Sequence, residues 1–397
     1  MQALLTNLAS LGRHIAVAVG ILLHFLTALL VGAPHLPAPA IEPAGYESGT
    51  TTPLPASTSS LQTGTQATTS PLKRILEAIT NPSGGATSSA PAAQPHPDTT
   101  AVPVVAPLPP EQVNTDTRRA LVNILCTTRA GGYLHPISGS GVIVASNGII
   151  LTNAHVGQYF LLRDYPTPDN ISCVIRMGSP AKTLYTAELL YLPPAWISKN
   201  AQEINASQAM GTGENDYAFL RITGRTDGSP LPTSFPALAI TTDEPIPTDP
   251  VLLAAYPAGF LEGSLIESDL YATSALTTIA AVFTFANVHN TDLLSLGGTV
   301  VAQAGSSGGA VVRTQDGALE GLIATASTGT TTTDRDLRAI TLAHINRSLI
   351  DAGQSGLVDL LSGDAAKKAA AFNTTTAPAL TQTLLEALKH PVAQPAQ

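Results

Sequence analysis

Three short segments of this 397-residue chain put chemically capable side chains at the ends of apolar runs. They are 151–156 around His155, 215–220 around Asp216, and 304–310 around Ser307. A serine hydroxyl is a poor nucleophile at neutral pH and needs an adjacent base. Imidazole suits that task because its pKa lies near operating pH. A carboxylate behind the imidazole fixes its tautomer and stabilises the imidazolium that forms. The turn Gly305-Ser306-Ser307-Gly308-Gly309 adds a further feature. Its glycines let the backbone N–H groups of Gly305 and Ser307 converge where an oxyanion would develop.

Taken singly, each segment has a plainer reading. His155 would be a satisfied structural histidine, the Gly-Ser-Ser-Gly-Gly run a flexible turn, and Asp216 a residue that opens a strand. Together, in the chain order His, Asp, Ser and each beside a strand, they point to a nucleophilic triad. Other candidates fit less well. Asp164 lies in the Pro-rich loop Arg163-Asp164-Tyr165-Pro166. Asp292 reads as a turn cap, and His135 and His289 as loop residues. The same serine turn satisfies Gly-x-Ser-x-Gly, the nucleophile elbow of α/β-hydrolases, but that fold orders its triad Ser, acid, His and alternates strands with helices. The chain does neither.

The elements that must position these residues are short strands. Runs at 121–125, 138–144, 149–152, 171–177, 184–192 and 217–222 are separated by polar turns, with an Asn147-Gly148 hairpin signal between the second and third. A second set follows at 251–256, 270–285, 309–313, 319–325 and 337–343. Such a series predicts antiparallel β-barrels or sandwiches. Residues 344–361 read as a closing helix, and 380–388 as one more in an Ala- and Thr-rich tail.

At this point a family resemblance is plain. The Thr152-Asn153-Ala154-His155 and Gly305-Ser306-Ser307-Gly308-Gly309 signatures resemble those of the trypsin-like (chymotrypsin-fold) serine peptidases, most nearly the bacterial envelope branch that includes the HtrA/Deg proteases. The resemblance implies an all-β fold of two six-stranded antiparallel Greek-key barrels, about 116–225 and 235–345, in a protease domain spanning 116–352 with a C-terminal helix. The site would lie between the barrels, with His155 and Asp216 from the first and Ser307 from the second. It also implies peptide-bond hydrolysis, an oxyanion hole at Gly305 and Ser307, and a substrate pocket at Val301, Ala304 and Thr325. Val301, six residues before the nucleophile, implies small or apolar side chains in that pocket. A catalytically inactive envelope scaffold on the same fold is the rival reading. The residues after the protease domain, 353–397, are too few for the PDZ domain usual in Deg relatives and read as a helical or disordered tail. Trimers are common among those relatives, but no trimerisation signature is visible here.

Residues 15–33 are apolar apart from His24 and Thr27. As a helix they would span about 28 Å, close to the ~30 Å hydrocarbon core. Arg13 precedes them and the next basic residue is Lys73, so the first 14 residues are expected inside and the remainder extracytoplasmic. A cleaved signal peptide is the alternative, disfavoured by Pro34 after the small-residue site Val31-Gly32-Ala33. Residues 34–115 are rich in Pro, Ala, Thr and Ser and read as a disordered linker, interrupted by a short helical pattern at 72–79. Charged residues make up 12% of the chain and net charge is −9 with no basic stripe, which excludes a nucleic-acid partner. No Cys/His cluster has metal-ligand spacing and no phosphate-cradling loop precedes a helix, so no metal or cofactor is expected. The two cysteines, Cys126 and Cys173, are either core thiols or, in an oxidising compartment, a bridge between neighbouring strands.

Overall fold

Short runs from 121 onward, several of them buried on both faces, form six strands that close on themselves. The computed structural model describes residues 107–129, 134–204, 212–285, 289–327 and 331–390. The expected membrane helix at 15–33 and the helical pattern at 72–79 lie outside them. Among the described residues no helix is long and apolar enough to cross a membrane. Helix α1, Pro110–Ala120, begins inside the stretch read as linker, and buries Val113, Thr117 and Ala120.

Strands β1 (Leu121–Thr128), β2 (Ile137–Ala145), β3 (Ile149–Thr152), β4 (Ile171–Met177), β5 (Lys182–Tyr191) and β6 (Ala218–Arg225) form a closed barrel in the order β1-β2-β3-β6-β5-β4. Val122, Ile124 and Ile150 share one face of this sheet and Val142, Leu151 and Phe219 the other, and all six are fully buried. Cys126 and Cys173 face each other across β1 and β4 and are joined by a disulfide.

The second half departs from a closed six-stranded barrel. Strands β7 (Pro250–Ala255), β8 (Thr273–Thr278), β9 (Ala281–Phe283), β10 (Leu293–Ser295), β11 (Ala310–Arg313), β12 (Leu319–Ala326) and β13 (Leu337–Thr341) form a seven-stranded sheet ordered β8-β7-β11-β12-β13-β10-β9. The apolar run at 270–285 is broken at Ile279–Ala280, where Ile279 exchanges backbone hydrogen bonds with Thr248 and Asp249 while Ala280 donates to Ser295. The two pieces therefore sit at opposite edges of the sheet, linked by the chain and not by a ladder. Val251, Leu253, Ile323, Ala339 and Val301 pack in a core of their own.

Beyond β13 the chain is more ordered than a tail. After the short helices α2 (Ala154–Gly157), α3 (Pro194–Asn200) and α4 (Gly263–Ser268), helix α5 (Leu342–Asp351) follows β13, with Gly353 just past its end, and α6 (Leu357–Leu361), α7 (Ala365–Thr375) and α8 (Ala377–Lys389) follow. Ala365, Ala369 and Phe372 share one face of α7, and Leu380, Leu384 and Leu388 one face of α8, at helical spacing. Both faces join the first barrel's core. Asn373 donates to the Leu189 carbonyl, Thr381 to that of Leu161, and Phe372 contacts Tyr191. The closing helix expected at 344–361 is thus two helices, α5 and α6; α7 was not expected, and α8 covers the helix expected at 380–388. The propensity was legible, but their docking depends on partners some 200 residues away in sequence, as the Thr381–Leu161 separation of 220 shows. Leu384 is fully buried, so Leu384→Ala is expected to lower unfolding free energy by about 2–5 kcal/mol in denaturant titration; a change below about 0.5 kcal/mol would mean that the tail does not stabilise the barrel.

Candidate active site

Register brings the first two residues together. β3 pairs antiparallel with β6 so that Thr152 faces Ala218. The chain leaving β3 therefore runs beside the chain entering β6, and His155 meets Asp216 there. The His155 Nδ1 lies 2.8 Å from Asp216 Oδ2, and the His155 backbone N–H donates to Oδ1 at 3.0 Å. Asn153, fully buried, donates to the Asp216 carbonyl at 2.8 Å. The Asp216 side chain is 7% exposed and that of His155 20%. Burial would lower the imidazole pKa, but the Asp216 charge and hydrogen bond outweigh it and raise the pKa above the usual 6.5.

Asp216 is also held from outside the barrel. Asn215 adopts a left-handed backbone, φ 60°, a conformation Asn tolerates better than most residues. Its side-chain oxygen accepts from Ser348 of α5 at 2.6 Å, and Tyr217 Oη lies 2.9 Å from the same hydroxyl. One serine of α5 therefore ties down both neighbours of Asp216.

Ser307 lies in the turn before β11, between Gly305 and Gly308, both left-handed at φ 88° and 86°. The Ser307 hydroxyl donates to the Ala324 carbonyl at 3.5 Å. No hydrogen bond joins it to His155 among the described residues. The Gly305 and Ser307 N–H groups, for their part, have no acceptor among the described residues, as an oxyanion site requires. The adjacent Ser306 hydroxyl is buried without a partner.

The turn is pressed against the first barrel by Ser140, a residue the sequence reading passed over. Ser140 sits on β2, fully buried. Its N–H donates to the Ser307 carbonyl at 2.7 Å and its hydroxyl to the Gly305 carbonyl at 2.8 Å. The same hydroxyl accepts from the Tyr256 N–H at 2.8 Å, while the Ser140 carbonyl accepts from Thr152 at 2.7 Å. A Cβ on Gly308 would lie 2.0 Å from the Ser140 carbonyl oxygen and 2.6 Å from Thr152 Oγ1. Gly308 is thus required for contact as well as for its φ. Thr152 is three residues before His155, so the serine turn rests beside the His155–Asp216 pair. No local pattern marked Ser140; the only hint was its place among small residues in Ser138-Gly139-Ser140-Gly141.

The expected pocket residues differ among themselves. Ala304 is exposed and Thr325 half-buried, but Val301 is sealed in the second core. It packs there because the chain turns inward at 301–302, placing Ala302 beside it at zero exposure. Asp164 is paired with Arg163 on an exposed loop, away from His155. Asp292 is more than a turn cap. It binds His344 Nδ1 at 2.9 Å and Arg347 at 2.8 Å, and accepts from Thr284 and the Phe285 N–H. This second His–Asp pair is buried, and His344 Nε2 has no partner. His135 and His289 are exposed. Among the described residues no group of three His, Cys, Asp or Glu is placed to hold a metal ion.

Residues 139–322 match the trypsin-like peptidase domain family. No curated protein matches the sequence. Among solved structures, the serine endoprotease from Yersinia pestis is 23% identical with a TM-score of 0.39, over 63% of this chain and 70% of that one. The active form of the Rv3671c protease from M. tuberculosis is 16% identical with a TM-score of 0.38, over 68% of this chain and 100% of that one. Both likenesses are too distant to bear on mechanism.

The seam gives the prediction. Ser140→Ala leaves the Tyr256 N–H and the Gly305 carbonyl without their partner and is expected to cost about 1–3 kcal/mol in equilibrium unfolding. An unchanged midpoint would mean that the two halves are held together elsewhere.

Proposed function

Given a trypsin-like peptidase domain at residues 139–322, we propose that this chain is a serine endopeptidase acting through an acyl-enzyme. The observation that carries the reading is the His155–Asp216 contact at 2.8 Å, set beside a glycine-flanked serine whose turn offers two unclaimed N–H groups. Ser307 Oγ attacks the scissile carbonyl while His155 Nε2 takes its proton. Asp216 holds the imidazole through Nδ1–H and stabilises its charged form. The Gly305 and Ser307 N–H groups receive the oxyanion. The imidazolium then protonates the leaving amine, and water repeats the sequence to release the acid. Nucleophile–base hydrogen bonds commonly tighten only when substrate binds, which fits a Ser307 hydroxyl that now points to the Ala324 carbonyl.

Residues 15–33 would hold the protein in a membrane, with the peptidase on the extracytoplasmic side. The Cys126–Cys173 disulfide supports an oxidising compartment. The orientation of the Ser307 hydroxyl favours a second reading, a non-catalytic scaffold.

Kinetics separate the two. Ser307→Ala is expected to reduce peptide turnover by on the order of 10⁶; equal rates for variant and parent would overturn the assignment. Because the His155 pKa is raised, its protonation switches the base off at a pH above 6.5, so the acid limb of kcat/KM should have its midpoint there. Asp216→Asn removes the raising influence and leaves burial, moving the limb to lower pH with a loss of about 10⁴ in kcat. A limb that stayed in place would assign the pairing carboxylate elsewhere.

A further inference from the structure

Phe260 is 72% exposed, in a protein where aromatic residues are only 5% of the sequence. Its place in the turn that follows β7 gives that exposure a meaning. β11, which starts just after the serine turn, lies between β7 and β12: Ala310 faces Ala254 on one side and Leu322 on the other. The chain leaving β7 and the chain ending β12 therefore flank Ser307 on opposite sides. On the β12 flank, pairing with β11 stops at Leu322, apart from the Gly308 and Gly309 bonds to Ile323. Among the described residues no strand pairs with Thr325–Ala326 on that side, and the Ala324 carbonyl there meets only the Ser307 hydroxyl, which leaves this edge for an added strand. On the β7 flank, the Ala258 N–H donates to the Ala304 carbonyl at 2.7 Å. A Cβ on Gly305 would lie 3.0 Å from Ala258, and one on Gly259 would lie 3.2 Å from the Ala304 nitrogen. The segment ending in Phe260 thus leans directly on the oxyanion turn.

That flank is itself immobilised. Arg176, buried at 1% exposure and without a carboxylate partner among the described residues, reaches from β4 to donate to the Ile266 and Glu267 carbonyls at 2.8 and 2.7 Å. These carbonyls lie at the end of the short helix Gly263–Ser268 that follows Phe260. Tyr256 donates through its hydroxyl to the Gly178 carbonyl at 2.8 Å, and Leu261 packs onto the core. An exposed phenyl ring on a pinned backbone is a preformed contact surface.

Resting on the peptidase reading above, we propose that Phe260 is a specificity residue for the leaving half of the substrate, selecting apolar side chains in the first two residues after the scissile bond. If the acyl half pairs along Ala324–Ala326, the leaving half crosses Ser307 in the opposite direction, toward Phe260. In reverse, an amine bound there attacks the acyl-enzyme: the new C–N bond forms as the Ser307 Oγ–C bond breaks, and the amine proton returns through His155 Nε2 to Oγ.

The test isolates that half. The full-length protein is acylated with a small peptide ester, and leucine amide competes with glycine amide as acceptor. An open apolar contact discriminates less than an enclosed pocket, so roughly fivefold preference for leucine amide is expected. Phe260→Ala should abolish the preference, read as the ratio of the two amide products formed from one acyl-enzyme, and Phe260→Leu should keep it. Ester turnover with no preference in the parent, or a preference that survives Phe260→Ala, overturns this inference and leaves the peptidase reading standing. No ester turnover at all defeats both.

Discussion

The site depends on how closely the two sheets are held, and a buried serine sits where the serine turn meets the first barrel. Ser140 uses its N–H, its hydroxyl in both senses and its carbonyl, and each bond reaches something next to the proposed chemistry. Buried polar groups without partners are costly, so the first barrel and the serine turn share a common incentive to stay together. Gly308 makes the constraint steric as well, since no side chain fits between its Cα and the Ser140 carbonyl. Farther along the seam, Arg176 has its own reason to stay in place. Its guanidinium is cut off from water and is satisfied only by Asn123, Ala181 and the two carbonyls of the opposite half. Separating the halves would break two of its hydrogen bonds. Arg118 adds another bond across the seam, to the Ala272 carbonyl.

The described residues hold two His–Asp pairs, and their contrast favours one of them for the proposed base. His344 and His155 make nearly equal contacts to their carboxylates, at 2.9 and 2.8 Å. Around His344, burial dominates and Arg347 shares the carboxylate, so the imidazole pKa is pushed below the usual value. Phe285 closes over its ring and Nε2 faces no partner. Around His155, Asp216 has no competing cation among the described residues, and the imidazole pKa is raised instead. Residue type is shared; surroundings decide the role. For stability the signs also differ. The His155 contribution is complete below pH 6.5 and fades as pH rises through its raised value, whereas the His344 site loses stability as pH falls below 6.5.

Much of this was legible from local pattern. β3 and β4 appear at the expected bounds, and the segments around His155, Asp216 and Ser307 lie at strand ends as the apolar runs indicated. What local pattern could not carry was long-range. The run at 270–285 reads as one strand because nothing in its side chains reveals that Ile279 is claimed by Thr248 and Asp249. β10 is only three residues long, too short to show a period. Ser140 carries no distinguishing neighbour, and Asp292 resembles any turn aspartate until α5 folds back to supply His344 and Arg347. Val301 was assigned to a pocket by its offset from Ser307, and its burial emerged only from the packing of the second core.

The central claim is that the His155–Asp216 pair activates Ser307, and covalent trapping tests it most directly. Full-length protein treated with a fluorophosphonate and digested for mass spectrometry should carry one adduct, on Ser307, and His155→Ala should lose it while remaining folded. An adduct on Ser306, or equal labelling with and without His155, would contradict the account.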